Sequence, residues 1–244
     1  MEEMGKQIPE GRTEQEAEVA AAMEPDNQKQ PEKADRQAEI AARQAELAAA
    51  VERDFEKQWI SAYGEDGDGL VIRNAGLMLW LRETGFFTAP ASTKYHGAYD
   101  GGLYDHSRMV FRRLRELTER NGLVWQRRES PFIVGFFHDL CKIDQYRKVS
   151  GDAPAEDGQK RMIPGPGYHY EFNANTLLKG HGSKSAMLAG RFIDLTEEEL
   201  LCIRYHMGPY EREEWNEFDR AIKKYETVLW THTADMLASK VDRI

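Results

Sequence analysis

Long apolar runs are missing from this 244-residue chain. No stretch approaches about 18 consecutive apolar residues, so no transmembrane helix is expected. The opening MEEMGKQIPEGR lacks the apolar segment that a secretory signal needs. Cysteine is scarce as well: Cys141 and Cys202 are the only two, far apart in sequence. Without a visible signal they are expected as reduced thiols, and the expected compartment is the cytoplasm. A basic excess is also absent. Of the net charge of −9, residues 1–55 carry −7 and the remainder only −2. A nearly neutral body does not favour long nucleic acid as a partner. It leaves open a small anion held through a metal. No internal repeat is visible.

What is present suits one domain of ordinary size with an appendage. Residues 1–35 are rich in Glu, Gln, Ala and Lys and are expected to be disordered. From about Asp35 to Ser61 the composition turns helical. Ile40, Leu47, Val51, Phe55 and Trp59 draw one apolar stripe at spacings of seven, then four. That helix is expected to lean on the body. The other reading is a short coiled coil or docking helix that joins a second copy or another protein. YGEDGDG at 63–69 marks a loop, which places the boundary between a charged tail and helix (1–61) and the main domain (62–244).

The main domain reads as all-α. Gly85 and Gly122 stand where helices stop. Ser130-Pro131 is expected to open a helix as N-cap and first-turn proline. That helix is expected to run through FFHDLCKID, with His138 and Asp139 inside it. Thr196 and Glu199 have capping-box spacing, and Gly208-Pro209 closes the helix they open. Residues 220–244 read as one last helix. Residues 147–180 are the exception, rich in Gly, Pro, Asn and Asp. There RMI and YHYEF flank PGPG and suggest a small β-hairpin. A loop this long, ending at His181, is expected to be a lid.

Seven histidines are present. His106 falls early in one helix, and His138 with Asp139 in the next. His181 stands at a helix start, His206 in a last turn, and Asp235 midway along the final helix. Several have apolar neighbours such as Phe136, Phe137, Leu140 and Met236. Burying so many ionisable groups costs several kcal/mol unless something pairs them. A divalent cation is the economical partner, and mixed imidazole and carboxylate suits first-row transition metals.

This ordered set resembles the HD-domain superfamily of metal-dependent phosphohydrolases, whose signature is a histidine, a His-Asp pair and a late aspartate. KYHGAYDGGLYDHS (94–107) is similar to the segment before the first ligand in bacterial 3′-to-5′ exoribonucleases of that superfamily. GHGSKSAML and IRYHMG are similar to a bacterial and phage hydrolase subgroup. The resemblance covers about residues 70–242. It implies an HD-type helical bundle and two divalent ions, with Mn, Fe, Mg, Co, Ni and Zn all left open. One ion would be held by His106, His138, Asp139 and Asp235, and the other by Asp139, His181 and His206. Adjacent residues on a helix differ by about 100° in direction, so His138 and Asp139 can serve one site only because a carboxylate can bridge.

The expected substrate is a nucleotide or small phosphate ester. Alternatives are an exonuclease on short nucleic acid and, on the same ligand set, a di-iron oxygenase of the myo-inositol oxygenase kind. A non-catalytic sensor or scaffold is disfavoured because no member of the ligand set is missing. Lys142, one turn after His138, is a candidate catalytic cation. His96 is a candidate proton donor to the leaving group. Lys184, in the first turn after His181, and Arg204 are candidate phosphate contacts. Tyr146 is a candidate base-stacking residue. His169 is expected at the surface, and His232 beside the metal ligands rather than among them.

Overall fold

The computed structural model describes residues 38–39, 42–43, 45–46, 49–58, 70–151, 167–209 and 214–244. The chain divides into two units, Met1–Leu47 and Ala48–Ile244. In the first, the described residues are helical. The disorder expected over 1–35, and stripe positions Ile40, Leu47 and Trp59, lie outside the described residues.

The second unit is mostly helical. After a helical segment at 49–58 come α1 (Leu70–Glu83), α2 (Gly102–Asn121) and α3 (Ser130–Phe137). A 3-10 turn, Leu140–Ile143, leads to an antiparallel pair, β1 (Tyr146–Ser150) and β2 (Tyr168–Phe172). Then follow α4 (His181–Ala189), α5 (Glu197–Tyr205), α6 (Glu214–Lys224), α7 (Thr227–Met236) and a π turn, Leu237–Asp242. The expected all-α class with one small hairpin is what the chain adopts.

Helix α3, SPFIVGFF, is buried along its whole length. A helix apolar on all sides belongs at the centre. It separates two apolar clusters. One gathers Phe55, Phe86, Leu103, Phe132 and Phe136, and the other Val110, Leu114, Val134, Ile203 and Val228. Phe55 has no exposed surface, and its ring meets Phe136 edge-on at 5.1 Å. The stripe residue thus enters the core of the second unit. Each fully buried ring contributes roughly 1.5–3 kcal/mol.

The polar candidates ride on the same stripes. On α2 the buried set Leu103, His106, Ser107, Val110, Phe111 and Leu114 follows the helical repeat. On α7 it is Thr227, Val228, Thr231, Ala234 and Asp235. His106 and Asp235 are therefore carried inward by the amphipathic pattern itself.

Four local expectations are corrected. Helix α3 ends at Phe137: His138 caps it, and Asp139 leaves helical geometry at φ −109°, ψ 19°. The His-Asp pair sits at a break rather than inside a helix. Ser130 is the first helical residue rather than the N-cap, because its hydroxyl donates to the buried Glu199 at 2.8 Å. YHYEF does form a strand, but it pairs with Tyr146–Ser150; RMI lies outside the described residues. Residues 220–244 are interrupted at Tyr225, so α6 and α7 are separate helices. The buried Thr227 hydroxyl, donating to Glu198 Oε1 at 2.5 Å, anchors the second. The Thr196–Glu199 capping box forms as expected.

Candidate metal centre

Five segments converge at the core of the second unit. Two close backbone approaches make this convergence possible. A Cβ on Gly135 would lie 2.5 Å from Phe111 Cα, so α2 and α3 meet there without side chains between them. This brings His106 Nε2 within 3.2 Å of His138 Nε2. A Cβ on Gly182 would lie 2.2 Å from the Arg204 carbonyl oxygen, so α4 and α5 touch there. His181 and His206, beside that contact, have ring centroids 5.0 Å apart.

Asp139, only 1% exposed, stands between the two histidine pairs. Its Oδ2 lies 3.4 Å from Nε2 of both His106 and His138. Its Oδ1 lies 2.7 Å from His181 Nε2 and 3.4 Å from His206 Nε2. Asp235 Oδ1 completes the first side, 3.0 Å from His106 Nε2 and 3.9 Å from His138 Nε2. The break in α3 explains how adjacent residues serve one place: non-helical geometry at Asp139 frees its side chain from the 100° offset.

Second contacts fix the ring orientations. His106 Nδ1 faces the Ile244 carbonyl at 2.9 Å, His138 Nδ1 that of Gly135 at 2.9 Å, and His206 Nδ1 that of Ile203 at 2.8 Å. A carbonyl only accepts, so each Nδ1 carries the proton. In the neutral ring Nε2 then offers a lone pair, and these lone pairs converge on one another and on two carboxylates. Among the described residues, both Asp139 oxygens, His181 Nε2 and His206 Nε2 are buried without a hydrogen-bond partner. Polar atoms buried in this way are costly unless a cation or proton pairs them.

The protein's own charges meet this demand only in part. Lys142 is buried with its Nζ 2.6 Å from Asp139 Oδ2. Burial opposes its charge, but Asp139 outweighs burial and holds the ammonium protonated. Burial alone would lower His106, yet Asp139 and Asp235 raise it to about 9. Burial pushes His138 down, toward the neutral ligand form. For Asp139, burial is outweighed by Lys142 and the surrounding imidazoles, which hold it well below the usual carboxylate range. Without a metal, a proton on His106 and the Lys142 ammonium balance the two carboxylates.

A metal ion fits here. His106, His138 and Asp139 each place a ligand atom within 4.8 Å of the others, and so do Asp139, Cys141 and His181. The donor set is imidazole and carboxylate, and the carbonyl contacts behind the rings are those that orient metal-bound histidines.

No family model matches this chain, and neither a curated protein nor a solved structure matches it.

The other candidates are spread around this centre. His96 lies beside it, its ring centroid 5.0 Å from that of His106. Burial, then His106 and Lys142, lowers it to about 4, so the imidazole is neutral. Tyr146 is half-buried; its hydroxyl accepts from Gln145 Nε2 at 3.1 Å and its ring meets Phe172. Lys184 is buried, but its ammonium donates to Asp144. Arg204 points outward, with its guanidinium on Glu214 Oε1 at 2.7 Å. His169 bonds within the hairpin, to Gly151 O at 2.8 Å. His232 donates to the His206 carbonyl at 2.7 Å, behind the ligand rather than as one. The hairpin is tied to the loop that carries His96, since Tyr170 and Lys148 both donate to Asp100.

Sequence reasoning missed two residues. Cys141 Sγ lies 3.2 Å from His181 Nδ1, where the other rings have carbonyls. Asp144 neutralises Lys184. Both fall within five positions of Asp139, but only the 3-10 turn makes that proximity meaningful.

Proposed function

We propose that the chain is a metal-dependent phosphohydrolase of the HD superfamily, acting on a nucleotide or small phosphate ester. One observation carries this reading: the buried carboxylate of Asp139 stands between two pairs of imidazoles, with Nε2 of His106 and His138 beside one oxygen and Nε2 of His181 and His206 beside the other. Asp139 would bridge two divalent ions, His106, His138 and Asp235 completing one site, and His181 and His206 the other. Bound there, the ions would supply Lewis acidity toward a phosphoryl oxygen and a water of lowered pKa.

The chain's own residues do the rest. Lys142, kept charged by Asp139, would stabilise the negative charge that accumulates on a transferring phosphoryl group. His96 is neutral in the ligand-free chain, so at neutral pH it accepts a proton or a hydrogen bond; a phosphate dianion beside it would raise its basicity and let it protonate the leaving oxygen. Cys141 holds the His181 ring from behind. Hydrolysis of the P–O bond yields inorganic phosphate and the free alcohol.

The test is phosphate release from a panel of nucleotides and small esters in the presence of manganese. Metal-dependent release that disappears in Asp139→Ala supports the proposal. Oxygen uptake with no phosphate release would replace it with oxygenase chemistry.

A further inference from the structure

A cavity of about 490 Å³ opens directly beside His181. Its lining includes Gln145, Phe172, Asn173, Leu178, His181 and Lys184. That size falls within the roughly 300–1,000 Å³ of small-molecule pockets. Its lining is mixed in chemistry: the His181 imidazole and Lys184 share it with two exposed apolar side chains, Phe172 at 66% and Leu178 at 47%. Exposed large apolar side chains lining one cavity suit a ligand with an apolar face.

Phe172 is also held in place. It stands opposite Tyr146 in the β1–β2 register, and the two rings meet at 5.3 Å and 61°. An aromatic face fixed in this way is a preorganised stacking platform. Among the described residues, amide capacity near it is left over. There Asn173 uses one N–H on the Asp144 carbonyl at 2.8 Å and keeps the other. Gln145 Oε1 there faces the weak Cys141 thiol donor, at 3.5 Å.

We propose that this cavity receives the organic half of the substrate, a heteroaromatic group of nucleoside size, with the phosphate at the His181 end. The inference rests on the phosphohydrolase reading and narrows it. Phe172 stacks on the ring, Asn173 and Gln145 meet its polar edge, and Leu178 closes the apolar side. A simple phosphate ester such as glycerol phosphate would leave much of the cavity unfilled.

The experiment uses the full chain, with adenosine monophosphate and glycerol phosphate as probes. Two variants are made at exposed positions, Phe172→Ala to remove the platform and Leu178→Trp to fill the cavity. Hydrolysis gives the preference for the nucleotide over glycerol phosphate. Calorimetry on the metal-free chain gives binding of the nucleotide independently of turnover. The expected result is a wild-type preference for the nucleotide that falls about tenfold in Phe172→Ala, the size of one lost stacking contact. Leu178→Trp is expected to lower nucleotide binding at least as much. Equal handling of the two esters by wild type, with nucleotide binding unchanged in both variants, would overturn the inference and leave the phosphohydrolase reading standing. If neither ester is hydrolysed, the phosphohydrolase reading fails on these probes, and absence of calorimetric binding overturns the cavity assignment separately.

Discussion

Asp139 Oδ1 and His181 Nε2 lie 2.7 Å apart, yet neither forms a hydrogen bond with the other. Their proximity without bonding geometry is what two ligands of a common ion show when they point at the ion rather than at each other. The consequences can be measured.

The helix contacts that build the centre are tight enough to be tested alone. Gly182→Ala would press a methyl against the Arg204 carbonyl and part His181 from His206. Gly135→Ala would do the same between α2 and α3, parting His106 from His138. Each is expected to cost roughly 1–3 kcal/mol, as overpacking does. Thermal melts should show the loss, and metal titration should show weaker uptake in both. Normal uptake in either variant would mean that the close approach does not position the ligands.

Protons and metal should compete at His106. Its folded value of about 9 stands above the ordinary 6.5. In the metal-free chain this group contributes stability that is complete below about 6.5 and is lost as pH rises through about 9. The depressed carboxylates of Asp139 and Asp235 stay ionised throughout that window. Chelated protein should therefore melt at lower temperature at pH 9.5 than at pH 6.5, while metal affinity rises over the same range. Melting curves with and without chelator check both signs.

Much of this architecture was legible in the sequence, and the gaps have physical causes. Helix stops at Gly85 and Gly122 and the Thr196 capping box depend on local backbone chemistry, so a single residue announces them. His106 and Asp235 could be placed because they fall on apolar stripes of period 3.6. The break after Phe137 could not, since FFHDLCKID has neither glycine nor proline and its apolar residues run on past the end of α3. Asp139, where the helix breaks, lies beside four imidazoles and Lys142, and three of those imidazoles come from segments distant in sequence. The strand partner of YHYEF was also missed. YRKVS is short and charged, and its pairing spans the long segment that follows Gly151. Lys184 shows the same limit: position pointed to a phosphate contact, whereas the structure pairs it with Asp144.

His96 should separate chemistry from metal binding. It stacks near His106 without joining the ligand set. His96→Gln is expected to retain full metal content while losing about 10²–10⁴ in turnover, the usual span of a lost proton-transfer group. Elemental analysis and initial rates on the same preparation decide this. Unchanged turnover would remove His96 from the mechanism.

Both thiols should be unreactive in the folded chain. Burial pushes Cys141 and Cys202 up to about 12, Asp139 adding to the effect at Cys141. A thiol reagent at pH 8 should label neither until denaturant is added. Faster labelling of Cys141 after chelation would show that the centre loosens without its ion.

The most direct measurement is the metal content of the full chain purified without chelator, determined beside Asp139→Ala. Two divalent ions per wild-type chain, and close to none in the variant, are predicted. A wild-type protein that carries no metal, takes none up on titration and melts at the same temperature with and without chelator would contradict the account.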